Sequence, residues 1–211
     1  MAAFRWKSTL YPSDQFVEAC GAVVFDTSTK PKQVLLLYCG ADGEWLLPKG
    51  RRNCNESRKA AAIREVREES GCEIQLCPVT MTTRAPAEIE AADVKDEPRA
   101  YDSLTEPFML DVRDLGKGKG VKLVWWFIAE LDGVPGEGEA QFNPKFFECD
   151  KAVHQLTFQK DREVLLKALE LMGHPTNKNT QPTASGVALA LGEGDMGFLT
   201  LTYDTILEPT T

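Results

Sequence analysis

An α/β fold is predicted by three features of this sequence. Runs rich in β-branched and aromatic residues, chiefly Phe16–Phe25 (FVEACGAVVF), Gln33–Tyr38 (QVLLLY) and Val121–Leu131 (VKLVWWFIAEL), read as strands. Between them, Asn53–Ser70 changes to a helical period. A second helical stretch, Lys160–Met172, places Val164, Leu165, Ala168, Leu169 and Met172 on one face.

In chain order, the opening Met1–Gln15 carries Arg5 and Lys7 but no apolar core of a leader peptide. The first two β-rich runs, separated by the polar turn TSTKPK, form a hairpin, and Glu44–Pro48 (EWLLP) adds a short third strand. In the following helix Ala60, Ala61, Ile63 and Val66 make the apolar stripe; Asn55 is the expected N-cap, Glu56 falls in the first turn and Gly71 stops it. Val79–Arg84 and Thr105–Leu110 are expected strands, with the acidic Ala87–Asp102 between them as a loop insertion. Asp114–Gly120 (DLGKGKG) is a turn, Lys145–Cys149 an edge strand and Asp150–Gln155 a short helix. Beyond His174 the chain turns Pro-, Thr- and Gly-rich, although Gly197–Tyr203 (GFLTLTY) alternates like a strand, which leaves a docked tail and a loose one both open. The division expected is an N-terminal segment 1–15, a domain 16–172 and a tail 173–211.

At 211 residues, 43% hydrophobic and 27% charged, the chain has the balance of a globular domain. A net charge of -8 argues against a general nucleic-acid coat protein. No run of about 18 apolar residues is present, so no membrane span is expected. The six cysteines show no CxxC pair and read as reduced thiols, which places the protein in the cytoplasm, with the nucleus open as well.

The chemistry is concentrated between Gly50 and Cys72. Glu56 follows Gly50 after five residues; after seven more come Arg64, Glu65, Val66, Arg67, Glu68, Glu69, Ser70 and Gly71. On a helix Glu65, Glu68 and Glu69 stand at i, i+3 and i+4, so three carboxylates project from one face. Like charges so placed oppose the helix unless a cation sits among them, and hard divalent ions take oxygen ligands. A solvated acidic face is the bland reading of an isolated EVREE string. Gly50, Glu56, Arg64 and Gly71 at fixed offsets overturn it.

This stretch resembles the Nudix box, G-x5-E-x7-R-E-U-x-E-E-x-G-U, at every fixed position. Cys72 replaces the final aliphatic residue, and a thiol behaves as a small hydrophobe. The resemblance implies an α/β/α sandwich with a mixed β-sheet between helices and a phosphoanhydride hydrolase that uses Mg2+, with Mn2+ able to substitute. It assigns metal binding to the Gly50 carbonyl and to Glu65, Glu68 and Glu69, with Glu65 and Glu69 the primary ligands and Glu68 a further ligand or the base. Glu56 and Arg64 are expected to pair and pin the loop to the helix. Some family members take the base from outside the box, where Glu106, Glu139 and Glu148 are candidates.

Substrate clues lie beside the box. Lys49, Arg51 and Arg52 are cations within four residues and suit phosphates that the metal does not hold. Lys117, Lys119 and Lys122, in and after the glycine-rich turn, make a second basic group if that turn folds over the site. Over Phe16–Met172 the chain is similar to the subgroup of diphosphoinositol polyphosphate and diadenosine polyphosphate hydrolases, through FVEACGAVVFD, WLLPKG and the later Phe146, Phe147, Ala152, Leu156 and Phe158. A polyphosphorylated small molecule, inositol pyrophosphate or diadenosine polyphosphate, is therefore the expected substrate. ADP-ribose, a nucleotide sugar or an mRNA cap is the alternative; the cap would be the one nucleic-acid partner. Motifs for coenzyme A or NADH substrates are missing, and Glu88 and Ile89 stand where some dinucleoside polyphosphate hydrolases carry tyrosine. A Nudix module that binds without hydrolysing is the rival of another class; such modules lose a box glutamate, and this chain keeps all four. Trp125 and Trp126 point to opposite faces of one strand, one into the core and the other, by packing or base stacking, toward a cleft.

Overall fold

The computed structural model describes residues 8–87, 89, 94–116 and 118–174. Strand β1 (Phe16–Asp26) is the centre of the molecule. Its end forms the expected hairpin with β2 (Gln33–Cys39), Phe25 opposite Val34, and β2 in turn carries β3 (Glu44–Leu46). β4 (Lys49–Arg51) returns to pair with the first half of β1, Gly50 opposite Cys20. On the other edge β1 runs parallel to β9 (Val121–Leu131) from Phe16↔Val121 to Phe25↔Glu130. β9 also carries β5 (Ile74–Leu76) and β8 (Met109–Asp114), and β10 (Phe142–Glu148) closes the edge beyond β2. The result is a mixed eight-stranded sheet.

Alternation along β1 fixes the two layers. Cys20, Ala22 and Val24 face α1 (Arg58–Ser70), where Ala61, Ala62 and Val66 meet Phe127 and Ile74. Ala19, Val23 and Phe25 face α2 (Cys149–Gln155) and α3 (Gln159–Leu171), with Trp126, Leu156, Val164 and Leu165 between. Each such aliphatic side chain stabilises the fold by roughly 1.5–3 kcal/mol on burial. The α/β/α sandwich is thus present. Cys72 is fully buried in the α1 layer, as its hydrophobe-like chemistry allows.

Three local expectations are corrected. Asn55 is not the N-cap: its φ is 63°, in the left-handed region, and Ser57 caps instead, its hydroxyl accepting from the Ala60 amide at 3.1 Å. The helix is therefore shorter by its first turn, Glu56 lies in the loop, and Ala60 is exposed while Ala62 is buried. The acidic insertion ends in a strand, β7 (Arg99–Leu104), paired with β6 (Val79–Thr83) as a separate two-stranded sheet. The strand expected at Thr105–Leu110 lies later, at β8. Gly71 does stop α1, at φ 71° with its amide on the Arg67 carbonyl at 2.8 Å. Residues 197–203 and the rest of the tail past 174 lie outside the described residues. Among the described residues no helix is long and apolar enough to cross a membrane.

The aromatic residues divide as their strand faces dictate. Trp126 is fully buried in the α3 layer. Trp125 faces the other way, donates its indole N–H to Glu18 at 2.9 Å and lies under the Arg58 guanidinium at 3.9 Å, packed against the α1 layer. Trp45 is held between Tyr38 and Phe147, each 5.0 Å away between ring centres. Its amide and carbonyl pair with the Thr157 hydroxyl and amide, which ties β3 to the α2–α3 link.

Candidate active site

Arg64 organises the box. Its guanidinium meets Glu56 through two bonds, 2.8 and 2.9 Å, and reaches Glu65 and Glu68 at 2.7 Å each. A fifth bond, 2.9 Å, goes to the Arg51 carbonyl. The expected Glu56–Arg64 pair is therefore real, and it joins the loop before α1 to the middle of the helix. The Arg64 bonds, ahead of the opposing effect of burial, hold the Glu56 carboxyl below the usual range.

Glu18 does similar work from below. Its carboxylate binds Arg52 at 2.9 Å, Arg58 at 2.6 Å and the Trp125 indole. Burial works to raise its pKa, and these donors together outweigh burial and lower it. Glu18 escaped the sequence reading, although a lone acid inside the apolar FVEACGAVVF run was its signal. Arg52, an expected phosphate ligand, donates its Nε to Glu18 and its Nη1 to the Asn53 and Glu56 carbonyls, so it also shapes the loop.

Gly50, Glu65 and Glu69 meet where β4 lies against α1, while Glu68 reaches Arg64 from the next turn. A Cβ at Gly50 would overlap the Glu65 carboxylate, so only glycine lets β4 lie this close to the helix. Glu69 accepts the Lys49 amide at 2.8 Å. Burial, reinforced by the charges of Glu65 and Glu139 and opposed by Lys49, pushes Glu69 up to about 7. Glu65 is raised as well, by burial first, against the pull of Arg64. Such crowded, partly buried carboxylates next to a backbone carbonyl form a donor set of hard oxygens, which fits a divalent cation of the magnesium or manganese type. With Glu65 and Glu68 both turned to Arg64, no three acid, imidazole or thiol side chains among the described residues share a metal-ligand geometry.

The loop after β9 closes on the other end of the helix. The Gly136 amide donates to the Gly71 carbonyl at 2.7 Å and the Glu139 amide to the Glu68 carbonyl at 2.8 Å, satisfying groups that a helix terminus leaves open. This brings Glu139 to the site. Of the other candidates outside the box, Glu106 pairs with Lys59 and Glu148 with Lys151, each at surface positions.

The cations are distributed unevenly. Lys49 and Arg51 stand on β4 beside the box, and Lys119 is exposed on the β8–β9 turn. Lys117 lies outside the described residues. Lys122 is brought toward Lys49 and Arg51 by the sheet, with Arg113 opposite it on β8. Arg113, unremarked in the sequence, pairs with Asp111 at 2.6 Å and lines a cavity of about 430 Å³ with Lys49, Phe158, Lys160 and the buried Asp161.

Comparison with known proteins places this geometry. The family model for the NUDIX domain matches residues 16–168. The chain belongs to the Nudix family. Nudix hydrolases generally use divalent metal ions and act on small phosphorylated molecules, and membership supports a pyrophosphohydrolase. Among solved structures, an Ap4A hydrolase binary complex from C. elegans is 20% identical with TM-score 0.48, covering 74% of this chain and 98% of its own. A NUDIX-family hydrolase from Clostridium perfringens is 20% identical with TM-score 0.49, covering 76% and 99%. A MutT NUDIX hydrolase from Burkholderia pseudomallei is 18% identical with TM-score 0.46, covering 72% and 97%. No curated protein matches the sequence.

Proposed function

We propose that this Nudix chain hydrolyses a phosphoanhydride bond in a polyphosphorylated small molecule, with inositol pyrophosphates and diadenosine polyphosphates as the favoured classes. The observation that carries this reading is the meeting of opposite charges at β4: box carboxylates on its α1 side, and the side chains of Lys49 and Arg51 on its other face. Glu65, Glu68, Glu69 and the Gly50 carbonyl would hold Mg2+, or Mn2+ in its place. When bound, that ion polarises a phosphate and lowers the pKa of the attacking water.

The chain's own residues supply the rest. Glu56 and Arg64 hold the loop against the helix, so the carboxylates keep their spacing. Lys49 and Arg51 neutralise and orient the phosphates. Glu68, a further ligand or the base, and Glu139 outside the box are the candidates to take the water's proton.

A substrate panel tests the proposal: magnesium-dependent phosphate release from diadenosine polyphosphate, inositol pyrophosphate and ADP-ribose. The two polyanions are expected to turn over fastest, and Arg51→Ala to raise KM. Loss of groups that merely support a metal ligand costs 10–100-fold, so Glu69→Gln should lower kcat by about a hundredfold or more. Wild type and Glu69→Gln equally inert on every substrate would leave a binding module; fast ADP-ribose turnover indifferent to Arg51 would overturn the substrate class.

A further inference from the structure

The sheet face away from the box helix carries more cations than the reaction alone requires. Arg51 lies opposite Ala19 and Lys49 opposite Gly21, while Ala19 stands beside Val124. Side chains alternate along a strand, so Lys49, Arg51 and Val124 share a face, and Lys122, two residues before Val124, shares it too. Arg113 is the cross-strand partner of Lys122. Like charges directly opposite one another destabilise a sheet. Asp111 neutralises Arg113 at 2.6 Å. Lys49, Arg51 and Lys122 make no side-chain ion pair among the described residues.

Lys122 feels this most. It is half-buried, and burial, then Lys49, Arg113 and Arg51, draw its ammonium below the usual lysine range, with Glu69 the acid opposing them. In a chain with 32 acidic and 24 basic residues, such a group could have been paired and is not. An anion with several charged oxygens resolves the repulsion. A single phosphate satisfies one or two of these cations, whereas a chain of phosphates reaches from β4 across β1 to β9.

We propose that Lys122, together with Lys49 and Arg51, forms a subsite for a linear polyphosphate chain that binds without metal. This rests on the polyphosphate reading of the site above and extends the binding surface from the box to the far edge of β9. Lys122 is a specificity-determining residue there: it rewards substrates with more phosphates than the cleaved pair.

The test is calorimetric binding of inorganic tripolyphosphate to the full chain in EDTA. Wild type is expected to bind; Lys122→Met, which keeps the stem, to bind about tenfold more weakly; and Lys122→Arg to restore affinity. Acetylation footprinting of wild type supplies a reading that no folding defect can blur: tripolyphosphate is expected to protect Lys122 and to leave Lys151 reactive. No binding by wild type, equal affinity for folded Lys122→Met, or an unprotected Lys122 overturns the subsite. Metal-dependent hydrolysis, assayed separately, keeps the two readings apart. Hydrolysis without tripolyphosphate binding sinks the subsite alone, while the expected binding and protection without hydrolysis of any substrate support it and sink the enzyme reading.

Discussion

Arg64→Lys puts the organisation of the box to a quantitative test. Lysine keeps a charge but cannot make the two-pronged contact with Glu56 or reach Glu65, Glu68 and the Arg51 carbonyl together. Exposed ion pairs contribute about 0–1 kcal/mol, and charge-assisted bonds in protected sites about 1.5–3 kcal/mol. With Arg64 and Glu56 side chains 25% and 14% exposed, screening is partial, so the pair lies between those ranges. The expected loss is about 2 kcal/mol, read from urea unfolding with the slope unchanged. A double-mutant cycle with Glu56→Gln isolates the pair, and its coupling is expected at about 1–2 kcal/mol. A coupling under roughly 0.5 kcal/mol, the noise of additivity between independent sites, would refute the view that this pair fixes the loop. The pH dependence has a definite sign. Glu56 is depressed in the folded state, so its contribution is full above its unfolded pKa of about 4.3 and fades as pH falls through the lower folded value. The gap between wild type and Arg64→Lys should therefore narrow below about pH 4.

Gly50→Ala forces a methyl group into the Glu65 carboxylate and should weaken Mn2+ binding about 10–100-fold with the circular dichroism spectrum unchanged; undiminished Mn2+ affinity would contradict the close approach of β4 to α1. Asp161→Asn probes the buried acid near Lys49 and Arg113. Burial raises the Asp161 pKa against the pull of Lys49, Arg113 and the Leu47 amide, so its contribution is full below the unfolded value of about 3.9 and is lost as pH rises through the folded one. Asparagine carries no such loss. Thermal melts should show wild type losing ground to the variant as pH rises above about 4, and a pH-independent difference would rule this out.

The box was legible because its chemistry is local. Gly50, Glu56, Arg64, Glu65, Glu68 and Glu69 are linked through one loop and one helix, and the 3.6-residue period alone gathers the glutamates. The N-cap was misread because Asn55 and Ser57 are both good capping residues; only the left-handed backbone at Asn55 decides between them. β7 hid in an acidic stretch because both its faces are largely open, so Arg99–Leu104 lacks the apolar alternation of a half-buried strand. Glu18 on the α1 face, and Lys122 and Arg113 on the opposite face, gain their neighbours through registers that no local spacing encodes. The β1–β9 pairing joins segments more than a hundred residues apart, and a one-residue slip would turn Lys122 away from Arg51.

The division of β1 between β4 and β2 has a consequence for how the molecule opens. One edge of β1 is covered by β9 from Phe16 to Phe25, while on the other Ala19–Gly21 pair with β4 and Phe25 and Asp26 with β2. Peeling β4 away would bare the middle of the central strand, so the loop bearing Lys49, Gly50 and Arg51 melts with the core and not before it. The β6–β7 hairpin, in a sheet of its own, carries no such obligation. That hairpin is therefore expected to open ahead of the box loop, which amide exchange would read as faster exchange in β6 and β7 than in β4.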